Sequence, residues 1–464
     1  MTIDAGTFSG GPMKIGFGRT DITPRVGVEL CGFGPYITRH SVGVRDRLWA
    51  RAMAVEAGGE RSVIVSCDLP GTGKWITTEV RARVTAATGL PGSALMVHCT
   101  HTHSGPNTID LVGWGEPDAP YRELVPTRIA EACIAALAAL REATLSHAEV
   151  PCVGIGHNRE YDRDGLPIDE VMRPGWRPNK PELTDTTCHV LKVEADGRVI
   201  GFVSYFGCHP VVCCQHTRYI HGDFCGVATN AVEQDHPGAV GMFLQGAQGD
   251  VNPRFVHKPE AESLKALDVI AAEYAAAVRA GIAVAKPIAV DRVTSCQRSV
   301  RFRRKAWTIA DLQAKLREHE ATLVKATDES TTAVRMATVY VRTLRAMIAR
   351  MQAGEEMSPP IEVQGFRIGP IALLGSPFET FQAIKNDVVA AADAPITLVL
   401  SFANESTGYA ADRTVAARGG YAQDMVPLMY GFLPYTHAHD DLVAALGAVE
   451  RELAEKPVGT AARG

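Results

Sequence analysis

Ala94-Leu95-Met96-Val97-His98-Cys99-Thr100-His101-Thr102-His103-Ser104-Gly105-Pro106 reads as a buried strand running into a cluster of histidines. The apolar residues at its head suit a strand covered on both faces, and Gly105-Pro106 turns the chain away afterwards. In extended backbone, residues two apart share a side, so His101 and His103 are expected to project together from the strand end. Imidazole is the commonest protein ligand for zinc and also a general base near neutral pH. One histidine at a strand end is explained by a hydrogen bond to backbone. Three within six residues point to a metal site.

Outward from this stretch the same design recurs. On its N-terminal side, 16–24 reads as a short strand, and 50–57 and 62–66 as strands about the break Gly58-Gly59. Residues 74–88 read as a helix stopped by Gly89. On the C-terminal side, helices are expected over 121–140, 224–234, 261–283, 378–392 and 440–454. Strands are expected over 150–155, 188–193, 199–206, 238–244, 288–302, 361–368, 371–374 and 396–402. Residues 161–184 and 404–421 read as polar loops, and no internal sequence repeat is apparent.

This order implies an α/β fold: a mixed, largely buried β-sheet flanked by helices. Between 308 and 352 the composition shifts to Lys, Arg, Glu, Ala and Leu at helical spacing, giving an inserted antiparallel helical hairpin broken near 327–331. No catalytic cluster falls within it, so a surface or dimer-forming role is expected, with a homo-oligomer as one partner. Residues 1–13, Gly-rich and aperiodic, read as a flexible arm, and 14–464 as a single catalytic domain.

With 46% hydrophobic and 21% charged residues among 464, the composition is that of a soluble globular enzyme. A net charge of -5 gives no electrostatic case for nucleic acid. No apolar run approaches the ~20 residues of a membrane span, and the start carries no basic cluster followed by an apolar core. The 11 cysteines are scattered without a framework, which reads as free thiols in a cytoplasmic protein. His101, Arg159, His209, Asp250 and Glu379 each follow an apolar strand within a few residues. Ligands of open α/β sheets gather outside strand ends in this way.

The order of these motifs resembles the N-terminal catalytic domain of the neutral/alkaline non-lysosomal ceramidases. The matching pieces are Gly18-Arg19-Thr20-Asp21-Ile22-Thr23-Pro24, Thr100 to Pro106, Asn158-Arg159, His209-Pro210, Gly249-Asp250-Val251-Asn252-Pro253, Phe378-Glu379-Thr380 and the loop holding Tyr409 and Tyr421. The resemblance implies a single zinc held by His101, His209, Glu379 and Tyr409. It makes His103 a proton shuttle or hydrogen-bonding partner beside the metal, Arg159 a stabiliser of charge developing on the substrate carbonyl, and Tyr421 a second active-site tyrosine. Read as residues alone, Glu379 is equally a carboxylate at a helix N-terminus and Tyr409 a packed loop aromatic.

Two departures shape the functional expectation. Where the family has a serine given a nucleophilic role, this chain has Asn252, whose amide cannot attack a carbonyl, leaving zinc-bound water as nucleophile. The chain also ends before the family's C-terminal immunoglobulin-like domain, which speaks against ceramide as the substrate. Asn158, Asp250, Asn252 and Asn404 are expected to line the pocket polar-side in, for a small soluble substrate that is hydroxylated or anionic. The expected activity is zinc-dependent hydrolysis of an amide, ester or lactone. The alternatives are a zinc-dependent lyase or isomerase of a hydroxylated carbonyl compound, or a non-catalytic binding protein.

Overall fold

A computed structural model describes residues 12–455. The arm expected over 1–13 therefore falls, all but Pro12 and Met13, outside the described residues. Where one mixed sheet is expected, there are three large sheets, beside three two-stranded pairs. The first orders its strands Leu95–Cys99, Glu60–Cys67, Trp49–Ala57, Lys14–Asp21, Arg141–Glu142. The second runs Val240–Gln245, Arg198–Phe206, Thr187–Ala195, Thr144–Pro151, Lys286–Pro287. The third runs Val293–Val300, Ile361–Ile368, Ile371–Gly375, Ile396–Leu400.

Within these sheets one unit recurs three times: an antiparallel hairpin, a helix, and a third strand parallel to the second. It is built from Trp49–Ala57, Glu60–Cys67, the helix Lys74–Thr88 and Leu95–Cys99. It returns as Thr187–Ala195, Arg198–Phe206, Asp223–Asp235 and Val240–Gln245. It returns again as Ile361–Ile368, Ile371–Gly375, Gln382–Ala391 and Ile396–Leu400. The repeat is invisible in the sequence because each copy needs only a pattern of apolar alternation and turns, which many residues satisfy.

That alternation explains the layering. Along Trp49–Ala57, Met53 and Val55 face a central core while Ala50, Ala52 and Ala54 face the helices of the first sheet. Leu191, Val203 and Tyr205 of the second sheet and Phe366, Ile368, Ile371 and Leu373 of the third enter the same central core. Their neighbours Val190, Phe202, Val363 and Leu374 pack outward on helices. Strand residues two apart share a face, so each sheet is apolar on both sides and buried between helices and the other two sheets.

Most expected elements lie where the sequence puts them; the helix Lys74–Thr88 ends at Gly89 with φ +71, a left-handed stop. Three differ in ways that matter. The strand expected over 150–155 is Thr144–Pro151, with Gly156–Asn158 a separate short strand paired to Val251–Pro253. The helix expected from 378 begins at Gln382, and Glu379–Thr380 instead pairs parallel with Tyr409–Ala410. The helical hairpin forms as Ile309–Val324 and Thr332–Gln352, but it is no detached arm. Val339, Tyr340, Leu344 and Met347 sink into the core of the third sheet. No helix among the described residues is long and apolar enough to cross a membrane.

Candidate metal centre and substrate cleft

Each of the three units sends residues from its parallel strands to one place. From the first come His101 and His103, from the second His209, from the third Glu379 and Tyr409. The expected reason for the pairing of His101 and His103 does not hold. The strand stops at Cys99, and His101 takes a left-handed φ of +69. For a non-glycine residue this conformation is strained by about 1–3 kcal/mol, a feature typical of functional positions. The turn, not strand alternation, brings His103 Nε2 to 3.0 Å from His101 Nε2. Gly32, at φ +105, lets the opposing loop lie against the His103 ring, where a Cβ would come within 2.5 Å of Nδ1.

The histidine tautomers follow from what surrounds them. His101 Nδ1 meets the Pro70 carbonyl, and His209 Nδ1 meets the Gln248 carbonyl at 3.1 Å. A carbonyl only accepts, so each Nδ1 carries the proton and each Nε2 presents a lone pair. Those two Nε2 atoms lie 3.1 Å apart. Glu379 Oε2, buried and without a hydrogen-bond partner, sits 3.6 Å from one and 3.5 Å from the other. Burial, reinforced by the neighbouring cations, holds the His209 and His103 rings well below the usual imidazole range and hence neutral. Unprotonated nitrogens and a carboxylate converging on one point repel each other unless a cation lies between them. Ligands of a tetrahedral zinc stand about 3.3 Å apart, so the donor set fits such an ion. His103 joins His101 and His209 in this group, beyond the hydrogen-bonding role expected for it.

His98, the third histidine of the stretch, does something else. Its Nε2 accepts the Gln245 N–H at 3.0 Å and its Nδ1 meets Ser66 Oγ at 3.0 Å, so it ties strands together. Sequence reasoning missed Gln245. Its Nε2 donates to the carbonyls of Thr100 and Cys208, each at 3.0 Å and each one residue before a candidate ligand. Its own carbonyl accepts from Ser401 N–H at 3.1 Å, so one residue joins all three sheets under the site. The only signal was a glutamine closing an apolar strand.

Arg159 is placed over the centre's outer side. It donates to the Tyr409 hydroxyl at 3.1 Å, the Asn252 Oδ1 at 3.1 Å and the Gly249 carbonyl at 2.6 Å. Burial acts to lower its pKa, but nearby Tyr409 and Glu379 outweigh that and keep it charged. Glu379 and Tyr409 face each other as parallel partners, and the Tyr409 and Tyr421 rings stand 6.0 Å apart. The strand pairing removes the reading of Glu379 as a helix N-terminal carboxylate. Asn158, Asp250 and Asn404, expected to touch substrate, are placed otherwise. Asn158 binds Asp250 at 2.7 Å and the Leu183 carbonyl at 2.8 Å, and Asp250 accepts from Gln382 N–H at 2.9 Å. Asn404 donates to Glu362 and Gln364 and accepts from Val97 N–H. All three are buried struts, their polar capacity satisfied inside the protein.

Outside the centre lies a cleft of about 430 Å³. Phe33, Pro35, Ile37, Trp114 and Met336 make part of its wall apolar, where a polar lining is expected. Its polar part comes from Arg159, Asn252, Tyr409, Tyr421 and, from the helical hairpin, Thr332 and Arg335. The hairpin thus contributes to the site, which its lack of catalytic motifs concealed. Behind Tyr409, a smaller chamber lined by Ile109, Leu111 and Met429 opens beside Glu379.

A family model for the N-terminal part of neutral/alkaline non-lysosomal ceramidases matches residues 13–297. The chain belongs to that family. It is 26% identical over 264 residues to a neutral ceramidase of Pseudomonas aeruginosa, covering 53% of this chain and 38% of that protein. The fold is that of the ceramidase structures. The crystal structure of the Pseudomonas aeruginosa enzyme matches with a TM-score of 0.72 at 21% identity, over 95% of this chain and 75% of that one. A ceramidase complexed with C2 matches with a TM-score of 0.73 at 20% identity, over 97% and 76%. Glu379 and Tyr409 lie beyond the matched family segment, so their place beside His101 and His209 rests on the tertiary geometry.

Proposed function

We propose that this chain is a zinc-dependent hydrolase of a carbonyl bond, an amide before an ester or lactone, in a substrate with an apolar acyl part. The carrying observation is the convergence of the His101 and His209 lone pairs and the unpartnered Glu379 carboxylate, at the inner end of a cleft headed by Arg159. Family membership supports amide hydrolysis, and the partly apolar cleft supports an acyl compound, where a small hydroxylated or anionic molecule was expected. His101, His209, Glu379 and Tyr409 would hold the zinc, with His103 beside them. Bound there, zinc would supply Lewis acidity and lower the pKa of a coordinated water.

The protein's own groups do the rest. Arg159, fixed by three neutral acceptors, directs its charge to where a carbonyl oxygen becomes negative, and a preoriented cation needs no reorganisation there. Asn252, held between Arg159 and Asp164, keeps that guanidinium in place and has no nucleophilic atom. The His103 ring, which lines the cleft with its Nε2 3.0 Å from His101 Nε2, is the group placed to carry a proton between cleft and centre. Eleven cysteines, all free and buried, support placement in a reducing compartment such as the cytoplasm.

The test combines metal analysis with turnover. The purified protein is expected to hold about one zinc per chain and to hydrolyse N-acyl compounds, with one atom of oxygen-18 from labelled water entering the acid product. Full activity in metal-free protein, or product without label, overturns the reading.

A further inference from the structure

The cleft outside the metal centre carries positive charge and no carboxylate. Two arginines, Arg159 and Arg335, line it together with His257, and no aspartate or glutamate is among its lining residues. Neither arginine has an ion-pair partner among the described residues. Arg159 donates only to neutral oxygens, and the hydrogen bond of Arg335 goes to Thr332 Oγ1, at 3.3 Å on its own helix. The Arg335 Nε is buried with no partner at all. Asp164, behind the wall, is already engaged by His157 at 3.1 Å, by Asn252 Nδ2 at 3.1 Å and by His257 Nε2 at 3.9 Å. Guanidinium groups in partly desolvated clefts are ordinarily matched by carboxylate or phosphate, whose geometry they fit two-pronged. Arg159 has the Glu379 carboxylate within electrostatic reach, whereas Arg335 faces the cleft without a protein anion, which leaves its partner to be supplied by the ligand.

Resting on the hydrolase reading above, we infer that the substrate class is an anionic acyl amide of the N-acyl amino acid type. Its acyl chain lies along Phe33, Ile37 and Met336, and its carboxylate is received by Arg335. The position of Arg335 on the helical hairpin makes that segment the selector of the substrate. A neutral acyl amide leaves the Arg335 guanidinium only Thr332 and solvent to bind.

The experiment uses the full zinc-loaded chain with two probes of one chain length, an N-acylglycine and its uncharged glycinamide. Hydrolysis of the acyl–nitrogen bond is expected with kcat/KM at least about tenfold higher for the anion, the worth of one charged hydrogen-bonded contact. Arg335→Gln is expected to abolish most of that preference and Arg335→Lys to keep part of it. Equal rates for the two probes, or a preference undiminished in Arg335→Gln, overturn the inference. Calorimetric binding of the same two probes separates this from the hydrolase reading. Tighter binding of the anion that Arg335→Gln removes supports the inference even where neither probe is cleaved, whereas equal binding refutes it whatever the turnover.

Discussion

The candidate metal centre and the cleft outside it stand side by side but are built by different means. The centre takes one or two residues from each of three sheets, and a single buried glutamine ties their strand ends together. The cleft wall takes loop residues such as Phe33 and Ile37 and one end of the helical hairpin, where Arg335 lies half-buried. A donor atom displaced by an ångström no longer binds metal, so its support is rigid and drawn from the core. A cleft that chooses among substrates tolerates change, and loops and appended helices are where change is least costly. On the proposed reading, chemistry and selectivity are carried by different parts of the fold.

The sharpest challenge to this contrast is to remove a donor. His101→Ala or His209→Ala is expected to release the metal and lower turnover by about a thousandfold or more while the fold persists, with Glu379→Gln close behind. Metal content and circular dichroism check it; full zinc and full rate in any of the three would place the centre elsewhere. Next comes the support. Gln245→Leu leaves the Thr100 and Cys208 carbonyls unpaired, at about 1–3 kcal/mol for each buried group. Zinc affinity is expected to fall about 10–100-fold in a chelator competition, as for other partners that orient ligands. Unchanged affinity would show that the histidine loops hold their own geometry.

Smaller still is Asn252→Ala at the border between centre and cleft. Losing its bond to Arg159 is expected to slow turnover about tenfold without abolishing it, and no covalent acyl-enzyme should form. Mass spectrometry of enzyme quenched during turnover decides the second point, since an acyl adduct on any side chain would name a protein nucleophile. The slightest effect at neutral pH is that of the structural histidines. His221, like His98, is buried, and its Nδ1 accepts the Asp223 N–H at 3.1 Å. Burial pushes both rings down to about 3, so the folded protein keeps them neutral while the unfolded chain protonates them near pH 6.5. The unfolded state then binds more protons, and stability falls as pH drops from about 6.5 towards 3, by up to about 1.4 kcal/mol per pH unit for each ring. Denaturant midpoints across that range measure it. A flat profile would mean that these rings titrate when folded.

How much of this was legible follows from the type of information involved. Period-two alternation, glycine stops and the helical period of 308–352 are local, and most of the elements they imply stand within a few residues of their expected bounds. The candidate donors His101, His209 and Glu379 were legible as polar residues just after apolar strands. Asn158, Asp250 and Asn404 carried the same signal and serve as buried struts, because being polar at a strand end does not say which way the side chain points.

The alternation of strands and helices, the histidine-rich strand end and the donor chemistry were set by the sequence alone, since backbone periodicity and side-chain type belong to the chain locally. It took the folded chain to establish that three sheets, not one, share the core, that His98 ties strands while His101 and His103 join the donor cluster, and that Arg335 faces the cleft. Those outcomes depend on contacts between residues up to about three hundred positions apart in the chain, such as Asn404 with Val97. Which of many compatible packings satisfies every buried polar group at once is a property of the folded whole.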